Sequence, residues 1–416
     1  MLRKTTTLTV LLLASTSLSA QRPNVVLIIG DDQAFGDYGF MGHETIRTPN
    51  LDRLSTEGAL FTRGYVPTAL CRPSLASLAT GRWPHRHGVT GNDPKRGTNR
   101  QRMVDLFKKN PTVASILGEL GYRSLQTGKW WEGNHKVGGF THGMTHGDTK
   151  RRGRHGDLGL QIGRKGLKEI FDFIAEGKKD EPFFVWYAPF LPHTPHNPPA
   201  RLLKKYAKKG RSKFVAKYYA MCEWFDETCG QLLGHLKEKD LEKNTVVLFV
   251  SDNGWIQKKE KRGFAPRSKR SPYEGGVRTP IIVKWPGKVP VGRHDMPVSS
   301  IDLVPTMLRA CGADVPKTAD GVDLLPLCKG EVKKRGPIFG AAFTHDIVEL
   351  GRPERSLVAR FVVHGRWKLV WHAAAKSKIE LFDVVADPHE TKDLAGENDE
   401  QVKQLRARVD GWWAVD

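Results

Sequence analysis

Residues 24–32 read Asn24-Val25-Val26-Leu27-Ile28-Ile29-Gly30-Asp31-Asp32. The run Asn24–Ile29 is apolar beyond its first residue, which is typical of a strand that is buried on both faces of a sheet. Two adjacent carboxylates, Asp31 and Asp32, follow directly at the end of this run. The stretch therefore predicts a buried parallel strand that carries polar side chains to the carboxyl edge of its sheet.

Strands and helices alternate along the rest of the chain. Apolar strands are predicted over Tyr122–Gln126, Pro182–Tyr187, Thr245–Val250 and Pro280–Trp285, and helices over Thr112–Leu120, Gly163–Ala175 and Tyr218–Lys237. This alternation predicts an α/β fold, in which a mostly parallel central sheet is sandwiched by helices. Asp93–Asn110 and the Gly/His-rich segment Gly133–Gly159 are predicted loops, and long loops in compact domains are often functional.

The pattern changes after about Pro326. Short antiparallel strands are predicted over Leu357–Val363, Trp367–Trp371 and Glu380–Asp383, and a charged final helix is predicted from about Asn398. This part of the chain is therefore predicted to form a small C-terminal antiparallel α+β subdomain beside the larger α/β domain.

The first twenty residues have the pattern of a secretory signal peptide. Arg3 and Lys4 form a charged start, Leu8–Ala14 an apolar middle and Ser17–Ala20 a small-residue exit. Because this run is too short to span a membrane and no later run is long enough, we expect an exported protein, periplasmic or secreted, without an integral membrane segment. The predicted organisation is residues 1–20 signal peptide, 21–326 α/β domain and 327–416 C-terminal subdomain.

Basic residues are in clear excess, because 66 Lys and Arg stand against 45 Asp and Glu, for a formal net charge of +21. Two basic clusters lie at Lys204–Lys217 and Lys258–Arg270. Such an excess favours a polyanionic partner, namely an acidic glycan, an anionic membrane surface or nucleic acid, although a merely basic solvated surface is the alternative. Nucleic acid is excluded as the expected partner, because the chain is exported and contains no recognisable nucleic-acid-binding module.

A short helix that begins at a cysteine is predicted in the stretch Cys71-Arg72-Pro73-Ser74-Leu75-Ala76-Ser77-Leu78-Ala79-Thr80-Gly81-Arg82. Pro73 suits the first helical position and Gly81 the C-terminal cap. Cys71 would then lie beside free backbone N–H groups at the positive end of the helix dipole, where an anion is stabilised. The alternative is a buried cysteine that only fills space. The other four cysteines support no disulfide assignment.

Polar side chains follow the carboxyl ends of several predicted strands. They are Asp31, Asp32, Lys129, His193, Asp252 and Asn253. In open α/β sheets this edge is where ligand sites are built. The two Asp-containing pairs form an all-oxygen set, which suits a hard divalent cation such as calcium or magnesium. The alternative is a set of ordinary loop acids and helix caps.

The stretch that begins at Cys71 resembles the signature of the type I, formylglycine-dependent sulfatases. That signature is Cys-x-Pro-Ser-Arg followed by Leu-x-Thr-Gly-Arg, and Leu75 replaces the Arg of its first half. The resemblance continues from Asn24 to the segment Leu381–Pro388. It implies an arylsulfatase-like enzyme of the alkaline-phosphatase superfamily that hydrolyses sulfate esters. It also implies that a maturase oxidises Cys71 to formylglycine, whose hydrate is the nucleophile.

The same resemblance implies a role for each site residue. The cation, calcium or possibly magnesium in its place, would be held by Asp31, Asp32, Asp252, Asn253 and the modified Cys71. The catalytic and substrate-binding groups would be Lys129, which orients the formylglycine, His193, which assists the leaving oxygen, and Lys269, which contacts the sulfate. Lys269 is identified because it precedes the block Tyr273–Pro280, which is similar to the Tyr-Glu-Gly-Gly-Val-Arg-x-Pro of the family.

Two positions leave roles open. Trp131 stands where the family has a histidine that assists release of sulfate, and an indole cannot accept a proton. The histidines His85, His87 and His135 are candidates to take over, and His196 is an alternative to His193. Because Leu75 stands where the family has an arginine, one positive charge is missing from the site. Arg72 or another local cation is expected to supply part of that charge.

The expected substrate is a sulfated polysaccharide or oligosaccharide, because the basic cluster Lys258–Arg270 includes the proposed sulfate-contacting Lys269. Two alternatives remain. A hydrolase of the same fold could act on phosphate or phosphonate esters, and an inactive relative could only bind sulfate. Leu75 and Trp131 are the residues that favour the inactive relative.

Overall fold

The computed structural model describes residues 21–151, 153–373 and 378–415, so the predicted signal peptide lies outside the described residues. The strands are β1 (Asn24–Gly30), β2 (Ala59–Tyr65), β3 (Asp93–Pro94), β4 (Arg123–Gly128), β5 (His142–Gly143), β6 (Phe183–Ala188), β7 (Thr245–Ser251), β8 (Arg278–Lys284), β9 (Gly292–His294), β10 (Val298–Ser299), β11 (Ile338–Phe343), β12 (Asp346–Ile347), β13 (Leu357–His364), β14 (Trp367–His372) and β15 (Ile379–Asp383).

The α-helices are α1 (Pro49–Thr56), α2 (Cys71–Thr80), α3 (Pro84–His87), α4 (Gln101–Phe107), α5 (Val113–Glu119), α6 (Lys168–Ala175), α7 (Ala200–Tyr206), α8 (Lys213–Glu238), α9 (Glu274–Val277), α10 (Leu303–Ala310), α11 (Leu325–Cys328) and α12 (Asp399–Trp412). None of the helices in the described ranges is long and apolar enough to cross a membrane.

A nine-stranded sheet forms the centre of the molecule. Its order is β10-β2-β8-β7-β1-β6-β4-β5, and β9 pairs with β2. Strands β5, β4, β6, β1 and β7 run parallel, whereas β8 is antiparallel to both β7 and β2. The predicted mostly parallel sheet is therefore confirmed.

Strand β1 lies between β6 and β7 and is buried along its whole length. Val25, Leu27 and Ile29 pack into one core, together with side chains of α2, α5 and α10. Val26 and Ile28 pack into a second core on the opposite face, together with side chains of α6 and α8. Because side chains alternate between the faces of a strand, a strand covered on both sides must be apolar at consecutive positions.

Several elements differ from the sequence prediction. The predicted loop Asp93–Asn110 contains β3 and α4, the latter over Gln101–Phe107. Helix α6 begins at Lys168 instead of Gly163, because Gly163 and Gly166 form a β-bridge with positive φ angles of 78° and 99°. Strand β2 was not predicted, because Thr62, Arg63 and a glycine interrupt its apolar residues, although every position is buried.

A second, antiparallel sheet lies in the C-terminal part, in the order β11-β13-β14-β15. One face packs against Leu405 and Val409 of α12. The other face packs against Tyr65, Val66 and Val277 of the large domain. The small antiparallel subdomain of the fold prediction is confirmed, and the boundary between residues 326 and 327 stays a prediction.

A buried ion network joins the C-terminal subdomain to the large domain. The Lys368 ammonium of β14 lies 3.0 Å from a carboxylate oxygen of Glu274 and 3.0 Å from one of Glu390. The Glu390 carboxylate accepts a hydrogen bond from the backbone N–H of Glu274, and its carbonyl accepts one from Arg267. The segment from Arg267 to Glu274 is therefore held in place by C-terminal residues.

Lys368→Met is expected to lower the free energy of unfolding by about 3–5 kcal/mol, because it leaves the buried Glu390 carboxylate without its cation. Chemical denaturation measures the change. Lys392→Met is the matched control, since its pair with Glu397 is exposed at both ends (66% and 61%). Such a surface pair contributes about 0–1 kcal/mol. Equal unfolding midpoints for the two variants would contradict the assigned role of the network.

Candidate active site

Three parallel strands end at one edge of the central sheet, and the polar residues that follow them lie close together. Asp31 and Asp32 follow β1, Lys129 follows β4, and Asp252 follows β7. Gly128 makes the approach possible, because a Cβ at this position, with φ of +76°, would clash with the carbonyl of the adjacent strand. The structure therefore brings together the residues that the sequence places after separate strands.

Lys129 is buried among carboxylates. Its ammonium nitrogen lies 2.6 Å from Asp31 Oδ1 and 3.6 Å from Asp252 Oδ2. Burial acts against its charge, but Asp31 and its other anionic neighbours raise the pKa of Lys129 well above its usual value. Lys129 is thus a permanent positive charge at the centre of the site.

Lys269 forms a second buried cationic contact. Its ammonium donates to Asp32 Oδ1 at 2.5 Å and to the Cys71 sulfur at 3.1 Å. The next residue, Arg270, anchors this segment by donating its backbone N–H to the Ala69 carbonyl at 2.8 Å, just before α2. Lys269 is therefore a buried cation in direct contact with Cys71, as the family resemblance implies.

Arg72 does not supply the positive charge that is missing at Leu75. Its guanidinium is fully buried and donates two hydrogen bonds, of 2.7 and 2.6 Å, to the Glu132 carboxylate. Successive side chains on a helix point in different directions, so Arg72 faces away from its neighbour Cys71. Leu75 lies in the apolar core with 3% of its surface exposed. The expectation for Arg72 is wrong, and Lys269 takes the position next to the sulfur.

Within the part of the chain that the structure describes, four buried oxygens of the cluster accept no hydrogen bond, although Asp32 Oδ2 lies 3.3 Å from His193 Nε2 and Asp252 Oδ2 lies 3.6 Å from the Lys129 ammonium. They are Asp31 Oδ2, Asp32 Oδ2, Asp252 Oδ2 and Asn253 Oδ1, one from each residue of the proposed all-oxygen set. Unpartnered buried oxygens are costly unless a cation or water satisfies them. Ligand atoms of Asp31, Asp32, Cys71 and His193 also lie within 4.8 Å of one another. The residues present therefore fit a hard divalent cation.

Burial and neighbouring charges shift the pKa values of the three carboxyl groups. Burial raises the pKa of Asp252 to about 7, with a further contribution from Asp31. Burial likewise raises the pKa of Asp31. Burial would raise the pKa of Asp32 too, but Lys269 and the other positive groups outweigh it and hold the value below its usual range. A bound cation would favour the ionised form of all three groups.

Cys71 stands at the start of α2 and is 2% exposed. Burial raises the pKa of its thiol to about 12 in spite of Lys129 and Lys269. Ser74, one turn further along α2, donates its hydroxyl to the Asp252 carbonyl at 2.5 Å and so ties the helix to the loop after β7. An unmodified Cys71 would be protonated at neutral pH and a poor nucleophile.

His193, and not His196, contacts the cluster. Its Nε2 lies 3.3 Å from Asp32 Oδ2. Its Nδ1 donates a hydrogen bond of 2.6 Å to the Thr194 carbonyl. Burial lowers the pKa of His193 to about 3 although Asp32 opposes the shift. The ring of His196 lies between Tyr218 and Trp255.

A cavity of about 230 Å³ opens above the cluster. Asp32, Cys71, His193 and Lys269 line its base. Its walls include Trp131, His155, Trp255, Phe264, Arg270 and His345, of which only Trp131 was singled out from the sequence. A larger cavity of about 460 Å³ lies in the C-terminal subdomain and contains none of the cluster residues.

None of the three histidines considered as replacements at Trp131 lines the cavity. His85 stacks on Trp413, His87 contacts the Ser77 hydroxyl at 3.0 Å, and His135 lies 3.3 Å from a backbone carbonyl. His155 is the histidine beside Trp131, with ring centroids 5.0 Å apart. The predicted functional loop Gly133–Gly159 includes His155, and its length and composition were the only signal for it.

Comparison with known proteins agrees with this geometry. Residues 23–313 match the family described as Sulfatase, and residues 264–411 match the one described as N-sulphoglucosamine sulphohydrolase, C-terminal. Arylsulfatase A of Homo sapiens is 31% identical, with 93% of this chain and 86% of the relative covered. The Ulvan-active sulfatase of Formosa agariphila is 25% identical, with 90% and 77% covered.

A solved structure has the same fold. The crystal structure of Ps i-CgsB in complex with k-i-k-neocarrahexaose is similar with a TM-score of 0.78 and 26% identity, and 95% of this chain and 94% of that chain are covered. The family match covers more than half of the sequence, and arylsulfatase A resembles the chain over nearly its full length. The chain therefore belongs to the sulfatase family of the alkaline-phosphatase superfamily and is a sulfuric ester hydrolase.

Proposed function

We propose that the protein is an exported sulfatase that removes sulfate from a sulfated polysaccharide or oligosaccharide. Its nucleophile would be formylglycine made from Cys71 by a maturase, and its cation would be calcium, for which magnesium is the alternative. The observation that carries the proposal is a set of four buried oxygens around Asp32 that accept no hydrogen bond within the described residues. They lie next to Cys71 and two buried lysines.

The charge of the cluster supports a monoanionic substrate group. When Asp31, Asp32 and Asp252 are ionised, Lys129 and Lys269 leave one net negative charge, because burial keeps His193 neutral. A divalent cation reverses this to one net positive charge, which matches the single charge of a sulfate monoester. Without the cation, the cluster would repel the substrate.

The residues of the chain have separable tasks in hydrolysis. Hydrated formylglycine would supply the attacking hydroxyl, and the cation would act as Lewis acid. Lys129 and Lys269 neutralise negative charge that spreads over the sulfate oxygens. His193 presents Nε2 to the cavity, since Nδ1 donates to Thr194. A bound anion beside the ring favours its protonated form, from which Nε2 donates to the leaving oxygen.

A glycan substrate is supported by two features. The Ulvan-active sulfatase and Ps i-CgsB, whose structure contains an oligosaccharide, are similar to this chain. The basic loop after Asn253 also contributes to the cavity, because Trp255 and Phe264 line its wall and Lys259, Lys261 and Arg262 are exposed. Positive charge at the mouth attracts polyanions, and aromatic faces pack against sugar rings.

The proposal is tested by comparing two aryl esters. We expect kcat/KM for 4-nitrophenyl sulfate to exceed that for 4-nitrophenyl phosphate by about 100-fold or more, since each 1.4 kcal/mol of discrimination is tenfold. The phosphate carries a second negative charge that the cluster does not balance. Equal or higher rates on the phosphate would favour the phosphate or phosphonate hydrolase, and sulfate binding without turnover would favour the inactive relative.

A further inference from the structure

We propose that Arg270 binds a second anionic group, a sulfate or a carboxylate, on the glycan whose sulfate ester is cleaved. The inference rests on the proposed function and specifies the substrate class, a sugar unit that carries another anion close to the scissile sulfate. Arg270 lines the active-site cavity and directly follows Lys269, but unlike Lys269 it is exposed.

Arg270 is held in an unusual backbone conformation. Its φ angle is 67°, in the left-handed region that glycine adopts without cost and arginine rarely occupies. The hydrogen bond from its N–H to the Ala69 carbonyl fixes the peptide there. Strain of about 1–3 kcal/mol at such a position is tolerated where a side chain has a task. The conformation places a guanidinium beside the cavity at a position that glycine would fill more easily.

The charge of Arg270 is also available to a ligand. The other lysine and arginine side chains that line the cavity have acidic partners, because Lys269 contacts Asp32 and Arg154 contacts Asp93. Within residues 21–151, 153–373 and 378–415, the Arg270 side chain makes no ion pair or hydrogen bond. A guanidinium is planar and binds the paired oxygens of a carboxylate or sulfate through two hydrogen bonds.

Arg270 lines the same cavity that would hold the sugar. The cavity of about 230 Å³ opens to solvent, so the sugar that carries the scissile sulfate would lie in it and the rest of the glycan would extend beyond it. The scissile sulfate would lie at the base, beside Cys71 and Lys269. Trp255 and Phe264, with ring centroids 5.3 Å apart, form a wall against which the sugar can pack. Other substituents of that sugar, or of its neighbour, then reach the exposed rim at Arg270.

The test compares matched pairs of oligosaccharides that differ by one anion. The pairs are mono- and disulfated galactose disaccharides, and sulfated disaccharides with and without a uronate carboxylate. We expect the wild-type enzyme to prefer the more anionic member of at least one pair by about tenfold or more in kcat/KM. Arg270→Gln is expected to abolish that preference, and the ratio within a pair cancels any general loss of activity.

Arg309→Gln is the matched control, because Arg309 is an exposed arginine of α10 that lies outside both basic clusters and does not line the cavity. It should keep the wild-type preference. The same ratios are measured as affinities by titration calorimetry in a Cys71→Ala background, which does not depend on turnover. A preference that Arg270→Gln leaves intact, or the absence of any preference in both measurements, overturns the proposal.

The outcomes distinguish failure of the Arg270 subsite from failure of the proposed sulfatase activity. If the wild-type enzyme hydrolyses 4-nitrophenyl sulfate and Arg270→Gln changes no ratio, only the Arg270 subsite is wrong. If the wild-type enzyme hydrolyses no sulfate ester, the proposed function fails. Calorimetry then still decides whether Arg270 discriminates between ligands with one and two anions.

Discussion

Asp31→Asn and Asp252→Asn are each expected to lower kcat/KM for sulfate esters by about 10³-fold or more. Each variant removes one anionic ligand from the proposed cation while it keeps the size of the side chain. Both residues carry an oxygen that has no hydrogen-bond partner and is buried against the cluster. In either variant the two remaining carboxylates balance Lys129 and Lys269, so the cluster without its cation is neutral. The Lewis acid is lost with the cation, and substrate binding cannot compensate for the lost activation.

Calcium binding gives a readout that does not depend on turnover. Titration calorimetry should detect one calcium ion per wild-type protein and a strongly weakened site in either variant. Calcium should also raise the melting temperature of the wild type, because an ion that binds only the folded state stabilises it. Since burial raises the pKa of Asp252 to about 7, protons compete for the site and calcium affinity should fall below that pH.

Asp37→Asn is the matched control for both variants. Asp37 is a neighbouring carboxyl that accepts the Tyr218 hydroxyl at 2.6 Å and lies outside the oxygen set. Burial raises its pKa to about 7, so an amide resembles the protonated form that it readily adopts. Activity within a few-fold of wild type is expected for it. Substantial turnover after exhaustive chelation, or in Asp31→Asn, would rule out the cation assignment.

The central features of this site could be predicted because they lie directly beside regular structure. Asp31 and Asp252 follow strands whose uninterrupted apolar runs are readable in the sequence, and parallel strands place their carboxyl ends at one edge. The same reasoning places Lys129 after β4. These are consequences of strand periodicity and sheet topology, so they need no knowledge of long-range contacts.

The walls of the cavity could not be predicted in this way. His155 and Trp255 lie on irregular loops, where no periodicity indicates which side chains turn inward. The pair between Arg72 and Glu132 joins residues 60 positions apart, so only the folded chain shows that the charge of Arg72 is already neutralised. Positions that determine substrate choice are therefore the ones that the sequence leaves open.

Cys71→Ala is expected to abolish sulfate ester hydrolysis, with a loss of about 10⁴-fold or more and a retained fold. The structure shows why an unmodified Cys71 would be a poor nucleophile. Burial raises the pKa of the thiol to about 12, so almost no thiolate exists at neutral pH. A protonated thiol at this position cannot be the nucleophile, and conversion to formylglycine would replace it with a hydroxyl-bearing group.

Conversion is predicted in the native host in spite of Leu75. Leu75 packs in the apolar core with other side chains of α2. The ammonium of Lys269, 3.1 Å from the sulfur, already provides the positive charge beside position 71. A chain that had lost its activity would not be expected to keep four buried oxygens converging beside this position, because burying them without a cation is unfavourable.

Mass spectrometry of the tryptic peptide 64–82 measures the conversion, since trypsin does not cleave between Arg72 and Pro73. Protein from the native host should show this peptide with CHO in place of CH₂SH. The peptide that contains Cys328, a buried cysteine far along the chain at the end of α11, should keep its thiol and serves as the internal control. Normal hydrolysis by protein with only unmodified thiol at Cys71 would overturn the nucleophile assignment. Unmodified thiol without turnover would instead identify a sulfate-binding protein, because the lysines and the cation site would then remain without a nucleophile.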